Sequence, residues 1–184
     1  MLYLILFNIW FFLPTGLANL TPILAARIPQ LRKHTYPLDF KLKVNKRRIL
    51  GDHKTIRGLV SGIVVGIITF WIEQLLYFHF LVFTQIIPRN IEELNPILFG
   101  LLSGLGALGG DAIESFIKRQ TGIRPGKSWF PFDQLDYILG GMLLTSFYIR
   151  LPTIQYILAP IIWFLLHLIF SAIGYLLRLK KNPL

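Results

Sequence analysis

Cysteine is absent from the 184 residues. Disulfide scaffolds, thiolate metal sites and cysteine nucleophiles are therefore excluded, and nothing marks a redox compartment. Acidic residues are scarce, nine against nineteen Lys and Arg, for a net charge of +10. The Gly-x-x-x-x-Gly-Lys-Ser/Thr order of a P-loop does not occur, and no Ser-His-Asp, Cys-His or zinc-ligand spacing is present. No basic stretch precedes the first apolar run and no small-residue cleavage pattern follows it, so that run reads as a retained membrane span, not a signal peptide. Repeats, low-complexity linkers and a soluble domain are missing, which leaves a single domain over residues 1–184.

What fills the chain is hydrocarbon. Hydrophobic residues make up 54% and the mean hydropathy is +0.58, too apolar for an ordinary soluble domain. The expected class is an all-α integral membrane protein with five transmembrane helices, over residues 1–26, 59–87, 96–119, 133–149 and 153–177. Pro14 and Gly16 should kink the first of these. Ten of the nineteen Lys and Arg fall in one loop, residues 27–57. Four more lie at 118–127 and three in the tail (Arg178, Lys180, Lys181), so seventeen of nineteen share one side. Positive charge concentrates on the cytoplasmic side, which puts the N-terminus outside, the C-terminus inside and two loops in the cytoplasm. Excess positive charge in loops between apolar runs points to the membrane and to anionic ligands rather than to nucleic acid.

The scarce acids are clustered. Asp111, Glu114, Asp133 and Asp136 are four of the nine, within 26 positions flanked by apolar sequence. Carboxylates next to hydrocarbon are costly and are functional candidates by default. On a helix Asp111, Glu114, Ser115 and Lys118 share one face, and Asp133 and Asp136, three apart, share another. Asp133 also suits a helix N-cap, a role that does not extend to Asp136. Two helix ends presenting carboxylates with cations between them suit Mg²⁺ on a phosphate. Glu73, inside the second span, is read as a proton site, as an acid facing a polar partner inside the bundle or as one near the far interface, and is not placed with this group.

The string Gly51-Asp52-His53-Lys54-Thr55-Ile56-Arg57-Gly58 stands just before the second span. Its glycines let backbone approach an anion, and Lys54, Thr55 and Arg57 supply donors where a helix N-terminus also favours phosphate. A positively charged loop resting on anionic lipid accounts for the same string. Gly100-x-x-x-Gly104 and Gly106-x-x-x-Gly110 in the third span signal close helix contact, within the chain or between subunits of a homo-oligomer. Trp129 and Phe130 read as an interfacial anchor. On this topology basic groups and carboxylates meet on the cytoplasmic side. Their combination suits a nucleoside triphosphate with a metal, attacked by a phosphate that needs no general base. Carboxylates alone would serve an ion path in a small transporter, and basic loops with glycine stripes would serve a lipid-binding scaffold.

Ser115-Phe-Ile-Lys118-Arg119 followed by Asp133-Gln-Leu-Asp136 resembles the signature of CTP-dependent phosphatidate cytidylyltransferases. Trp129-Phe130-Pro131 stands where those enzymes carry His-Gly-Gly, and they have more spans. Over nearly the whole chain the sequence is similar to the short archaeal branch, the CDP-archaeol synthases. The shared features are the Asn19/Pro22 region, PLDF at 37–40, GDHKTIRG at 51–58, the glycine-rich span ending GDAIESFIKR, and FDQLD. The resemblance implies a multi-pass cell-membrane enzyme that transfers CMP from CTP to a lipid phosphate, with Mg²⁺ as cofactor. In the archaeal branch the acceptor is 2,3-bis-O-geranylgeranylglycerol 1-phosphate. The roles expected are Asp111, Asp133 and Asp136 on the metal, with Lys118 joining them as catalytic. Gly51, Asp52, Lys54, Thr55, Arg57 and Arg119 are expected on CTP and its phosphates, and Asn19 and Ser115 near the lipid headgroup. Glu114 stands behind these.

Overall fold

The computed structural model describes residues 1–44, 46–87, 93–124 and 127–176, and the basic tail expected inside lies outside them. Seven helices occur in that range. Helix α1 (Leu2–Phe11) and α2 (Leu13–Ala25) form a pair bent by 46° at Phe12. Pro14, which has no N–H to offer the preceding turn, stands at the start of α2 and accounts for the break. Together the two are long and apolar enough for one span.

A polar loop follows, carrying a short hairpin of β1 (Lys43–Val44) and β2 (Arg47–Arg48). Helix α3 (Ile56–His79) begins three residues before the expected boundary, because Thr55 caps it: its hydroxyl accepts from Gly58 N at 3.1 Å. The expected run to residue 87 is interrupted at Phe80, which is extended. The short α4 (Leu81–Ile86) then lays Phe83 on Trp10, with ring centroids 4.3 Å apart. Helix α5 (Pro96–Gln120) is capped by Asn95, whose side-chain oxygen accepts from Ile97 N and Leu98 N, with proline at its first position. Helices α6 (Asp136–Ser146) and α7 (Thr153–Leu176) complete the chain.

α5 is the centre of the bundle, and its two glycine stripes face different neighbours. A β-carbon on Gly100 or Gly104 would run into α3 at Ile67 or Ile63, and one on Gly106 or Gly110 into α6 at Gly140 or Asp136. Both motifs are thus used for contacts within the chain. Away from the acids, Phe11 and Phe70 pack on Phe99 with centroids 4.9 and 4.2 Å distant, beside fully buried Phe7 and Phe12. α1 is tied to α7 by a buried Asn8–Gln155 hydrogen bond and by Trp163 Nε1 donating to Asn8 O at 3.2 Å.

α3, α5 and α7 are each long and apolar enough to cross a membrane. α6 has 11 residues. At 1.5 Å per residue it is about 16 Å long, roughly half a hydrocarbon core. The span expected over 133–149 is therefore shortened at both ends, by a 3-10 turn (Phe132–Gln134) before it and by a turn at Phe147 after it.

Candidate active site

At one end of the bundle a cavity of about 470 Å³ opens between the first polar loop, α5, the turn before α6, and α7. Its acidic wall follows from helix geometry. Asp111 and Glu114 stand one turn apart on α5. Asp136 enters from the first residue of α6, brought close by the contact of its main chain with Gly110. One carboxylate oxygen from each of Asp111, Glu114 and Asp136 lies within 4.8 Å of the others. Three carboxylates this close, with Glu114 Oε1 shut off from water and a single ammonium 3.3 Å from it, form a donor set that a hard cation fits.

Asp133, expected on the metal with Asp111 and Asp136, lines the same cavity but sits in a 3-10 turn before α6 and lies outside the group of three whose oxygens meet. It accepts from Trp129 N at 2.8 Å and pairs with Lys118 at 2.8 Å. Lys118 also stands 3.3 Å from Glu114. Lys54 reaches from the loop to pair with Asp111. Each half of the acidic wall therefore has its own ammonium group, and Arg119 lines the cavity beside them.

The loop that delivers Lys54 is organised by Asp39. The side chain of Asp39 is fully enclosed. Its carboxylate accepts from Arg48, from Leu50 N at 3.0 Å, from Gly51 N at 3.3 Å and from Lys41 N at 3.1 Å. Burial pushes this carboxyl upward, but Arg48 and the three amides outweigh it and hold it well below its ordinary range. Gly51 adopts φ +115, a conformation that favours glycine, and so turns the chain toward Lys54. Arg48 also pairs with Asp52 at 2.8 Å, and Arg47 donates to the Gln120 carbonyl, which latches the hairpin to the end of α5. Leu38 N donates to Lys54 O at 2.7 Å and Ile56 N to Tyr36 O at 3.0 Å, so PLDF and GDHK lie side by side.

Of the residues expected around nucleotide and lipid, Gly51, Asp52, Lys54, Ser115 and Arg119 line the cavity. Thr55 is occupied in capping α3. Arg57 turns away and donates to Leu31 O at 3.2 Å. Asn19 is half-buried on α2 and is not among the lining residues. Glu73 is buried in α3, and neither of its carboxylate oxygens has a hydrogen-bond partner. The aromatic pair holds the second loop: Trp129 packs on Phe132 at 4.5 Å and Phe130 on Phe164 at 5.8 Å. Sequence reasoning assigned no role to Asp39, Arg48, Gln134, His167 or Ser171 in the site. The last two had a legible signal, since they are polar positions four apart on one face of an otherwise apolar helix.

Membrane-spanning helices meeting at an interfacial pocket of carboxylates and cations define a membrane-embedded enzyme acting on phosphates. The full chain, residues 1–184, matches the profile of CarS-like CDP-archaeol synthases. The synthase of Pyrobaculum arsenaticum is 33% identical over 171 residues, covering 92% of this chain and 93% of its own. That of Methanospirillum hungatei is 37% identical over 147 residues, covering 74% and 82%. A solved structure described as an intramembrane enzyme for archaeal membrane lipid biosynthesis superposes with a TM-score of 0.68 at 30% identity, covering 89% of this chain and 91% of its own. The chain belongs to the CDP-archaeol synthase family. It is accordingly a multi-pass membrane cytidylyltransferase.

Proposed function

We propose that this enzyme transfers CMP from CTP to a lipid phosphate, 2,3-bis-O-geranylgeranylglycerol 1-phosphate or a close relative, releasing pyrophosphate and a CDP-lipid. The observation that carries this reading is the meeting of Asp111, Glu114 and Asp136 within 4.8 Å at the floor of a cavity also lined by Lys54, Lys118 and Arg119. Carboxylates suit a divalent ion, ammonium and guanidinium groups suit phosphate, and the reaction requires both.

An oxygen of the lipid phosphate attacks the α-phosphorus of CTP, and the bond to the β-phosphate bridging oxygen breaks as pyrophosphate leaves. The attacking phosphate is largely dianionic at neutral pH, so no side chain has to remove a proton. Asp111, Glu114 and Asp136 would hold Mg²⁺, which supplies charge neutralisation on the triphosphate when bound. Lys54, released from Asp111, and Arg119 orient the phosphates. Asp133 fixes Lys118 beside Glu114. Ser115 borders the phosphate of the lipid. Asp52 holds Arg48, and Gly51 shapes the loop that presents Lys54.

The chain crosses the bilayer five times in this reading, with N-terminus outside, C-terminus inside and the site on the cytoplasmic face. Two observations support it. Lys118 near the end of α5 and Ser171 near the end of α7 both line the cavity, as they would if the segment containing α6 returned the chain to the far side. The loops around the cavity hold most of the positive charge, as a cytoplasmic face requires. The test is labelled CTP with Mg²⁺ and a panel of ether and ester lipid phosphates, scoring pyrophosphate and CDP-lipid together. Formation of neither with any acceptor would overturn the proposal.

A further inference from the structure

The charged groups of the cavity account for the phosphates and leave the base of the nucleotide unread. Gln134 stands between Asp133 and Asp136, lines the cavity and is 3% exposed. Its side-chain oxygen is shut off from water and has no hydrogen-bond partner. A buried amide oxygen without a donor is costly to maintain, so its persistence points to a donor that arrives with a ligand. The backbone that carries the amide is held in place from both sides. Gln134 N donates to Pro131 O at 3.2 Å, Asp133 is fixed by Lys118 and Trp129 N, and Asp136 belongs to the carboxylate group. It therefore stands at a set reach from the place where the triphosphate would sit. The chemistry of the group narrows the ligand. A carboxylate or ammonium prefers ions, whereas a neutral amide offers one donor and one acceptor side by side and pairs with a base edge of the same kind.

We propose that Gln134 reads the amino-bearing edge of cytosine, its side-chain oxygen accepting from the exocyclic amine, and so sets the preference for CTP over UTP. Uracil presents a carbonyl oxygen where cytosine presents that amine, so it leaves the Gln134 oxygen facing another acceptor. The inference deepens the proposed cytidylyltransfer and rests on it.

The test compares CTP with UTP for the wild type and for Gln134→Met, which keeps the length and removes both polar atoms. The expected result is a preference for CTP that falls at least about tenfold in the variant, carried by KM for CTP, with kcat at saturation within about twofold. The thermal shift produced by Mg²⁺ alone should be unchanged. A lowered kcat and a weakened Mg²⁺ shift with an unaltered CTP/UTP ratio would make Gln134 a support for its aspartate neighbours and overturn the proposal. So would unchanged kinetics. If Gln134→Met does not fold, protection of the wild type and of Gln134→Asn by CDP against UDP in thermal unfolding decides: equal protection of the wild type by the two nucleotides overturns it. Absence of CTP turnover in the wild type would instead sink the underlying reaction, so the two failures are distinguishable.

Discussion

A β-carbon on Gly110 would stand 2.1 Å from the main-chain oxygen of Asp136. That obstacle is backbone at the first residue of α6, which cannot swing aside as a side chain does. Gly110→Ala should therefore push α6 away from α5, at about 1–3 kcal/mol for the overpacking. Asp136 would move with it, so activity should fall at least about tenfold, because positioning of this order of displacement is costly to catalysis. Gly109→Ala is the control, since nothing lies within 4 Å of its β-carbon. Thermal unfolding of the two variants in detergent checks this, and equal melting temperatures would refute it.

The carboxylates differ in what they hold. Asp136 belongs to the three-carboxylate group, whereas Asp133 is engaged with Lys118 and Trp129 N. Asp136→Asn should abolish product formation and the stabilisation by Mg²⁺ while the protein still folds. Asp133→Asn should keep a Mg²⁺ shift but lower the melting temperature, because Lys118 loses its closer partner, at a cost of about 1–3 kcal/mol. Titration of each variant with Mg²⁺ in a thermal-shift assay separates them.

Lys54 occupies Asp111 with its own positive charge, so it competes with any ion that arrives there. Lys54→Met should bind Mg²⁺ more tightly than the wild type when no nucleotide is present, by about threefold to tenfold for one competing ion pair near a surface. KM for CTP should move in the opposite direction. A variant that weakens both would show that Lys54 stabilises the cavity without competing for it.

The loop should respond to acid through Asp39. Its carboxyl lies well below the ordinary value of 3.8, so the folded loop binds its proton less readily than the unfolded chain does. Stability from this group is fully present above about pH 4 and drains away as pH falls below it, with no contribution to any change between pH 6 and 9. Asp39→Asn should remove the benefit at all these pH values, about 2–3 kcal/mol for hydrogen bonds to a charged group. Limited proteolysis within residues 38–52, followed against pH, reads this directly.

Much of the site was legible because its chemistry is local. Asp111, Glu114 and Lys118 follow from helical spacing alone, and a break near Pro14 follows from proline. The pairing of Asp133 with Lys118 was not legible, since a 3-10 turn stands in place of a first helical turn and both arrangements fit the same four residues. The length of α6 was hidden for the same reason: apolar residues continue through the turn at Phe147. The glycine stripes announced close contact but not which helices they meet, which depends on the tertiary arrangement. The role of Asp39 was concealed because its partners, three main-chain amides and the Arg48 guanidinium, are brought together only by the folded loop, which no sequence pattern displays.

The enclosure of Asp39 has a further consequence. A loop that carried a phosphate-binding lysine on a flexible tether would have to give up its conformational freedom at each encounter with nucleotide, and the affinity would fall accordingly. Here that ordering happens during folding, through one side chain that gathers three amides and a guanidinium. Lys54 is therefore presented on a rigid surface, and in the proposed reaction nucleotide affinity becomes a quantity that can be tuned at Asp39, fifteen residues earlier in the chain.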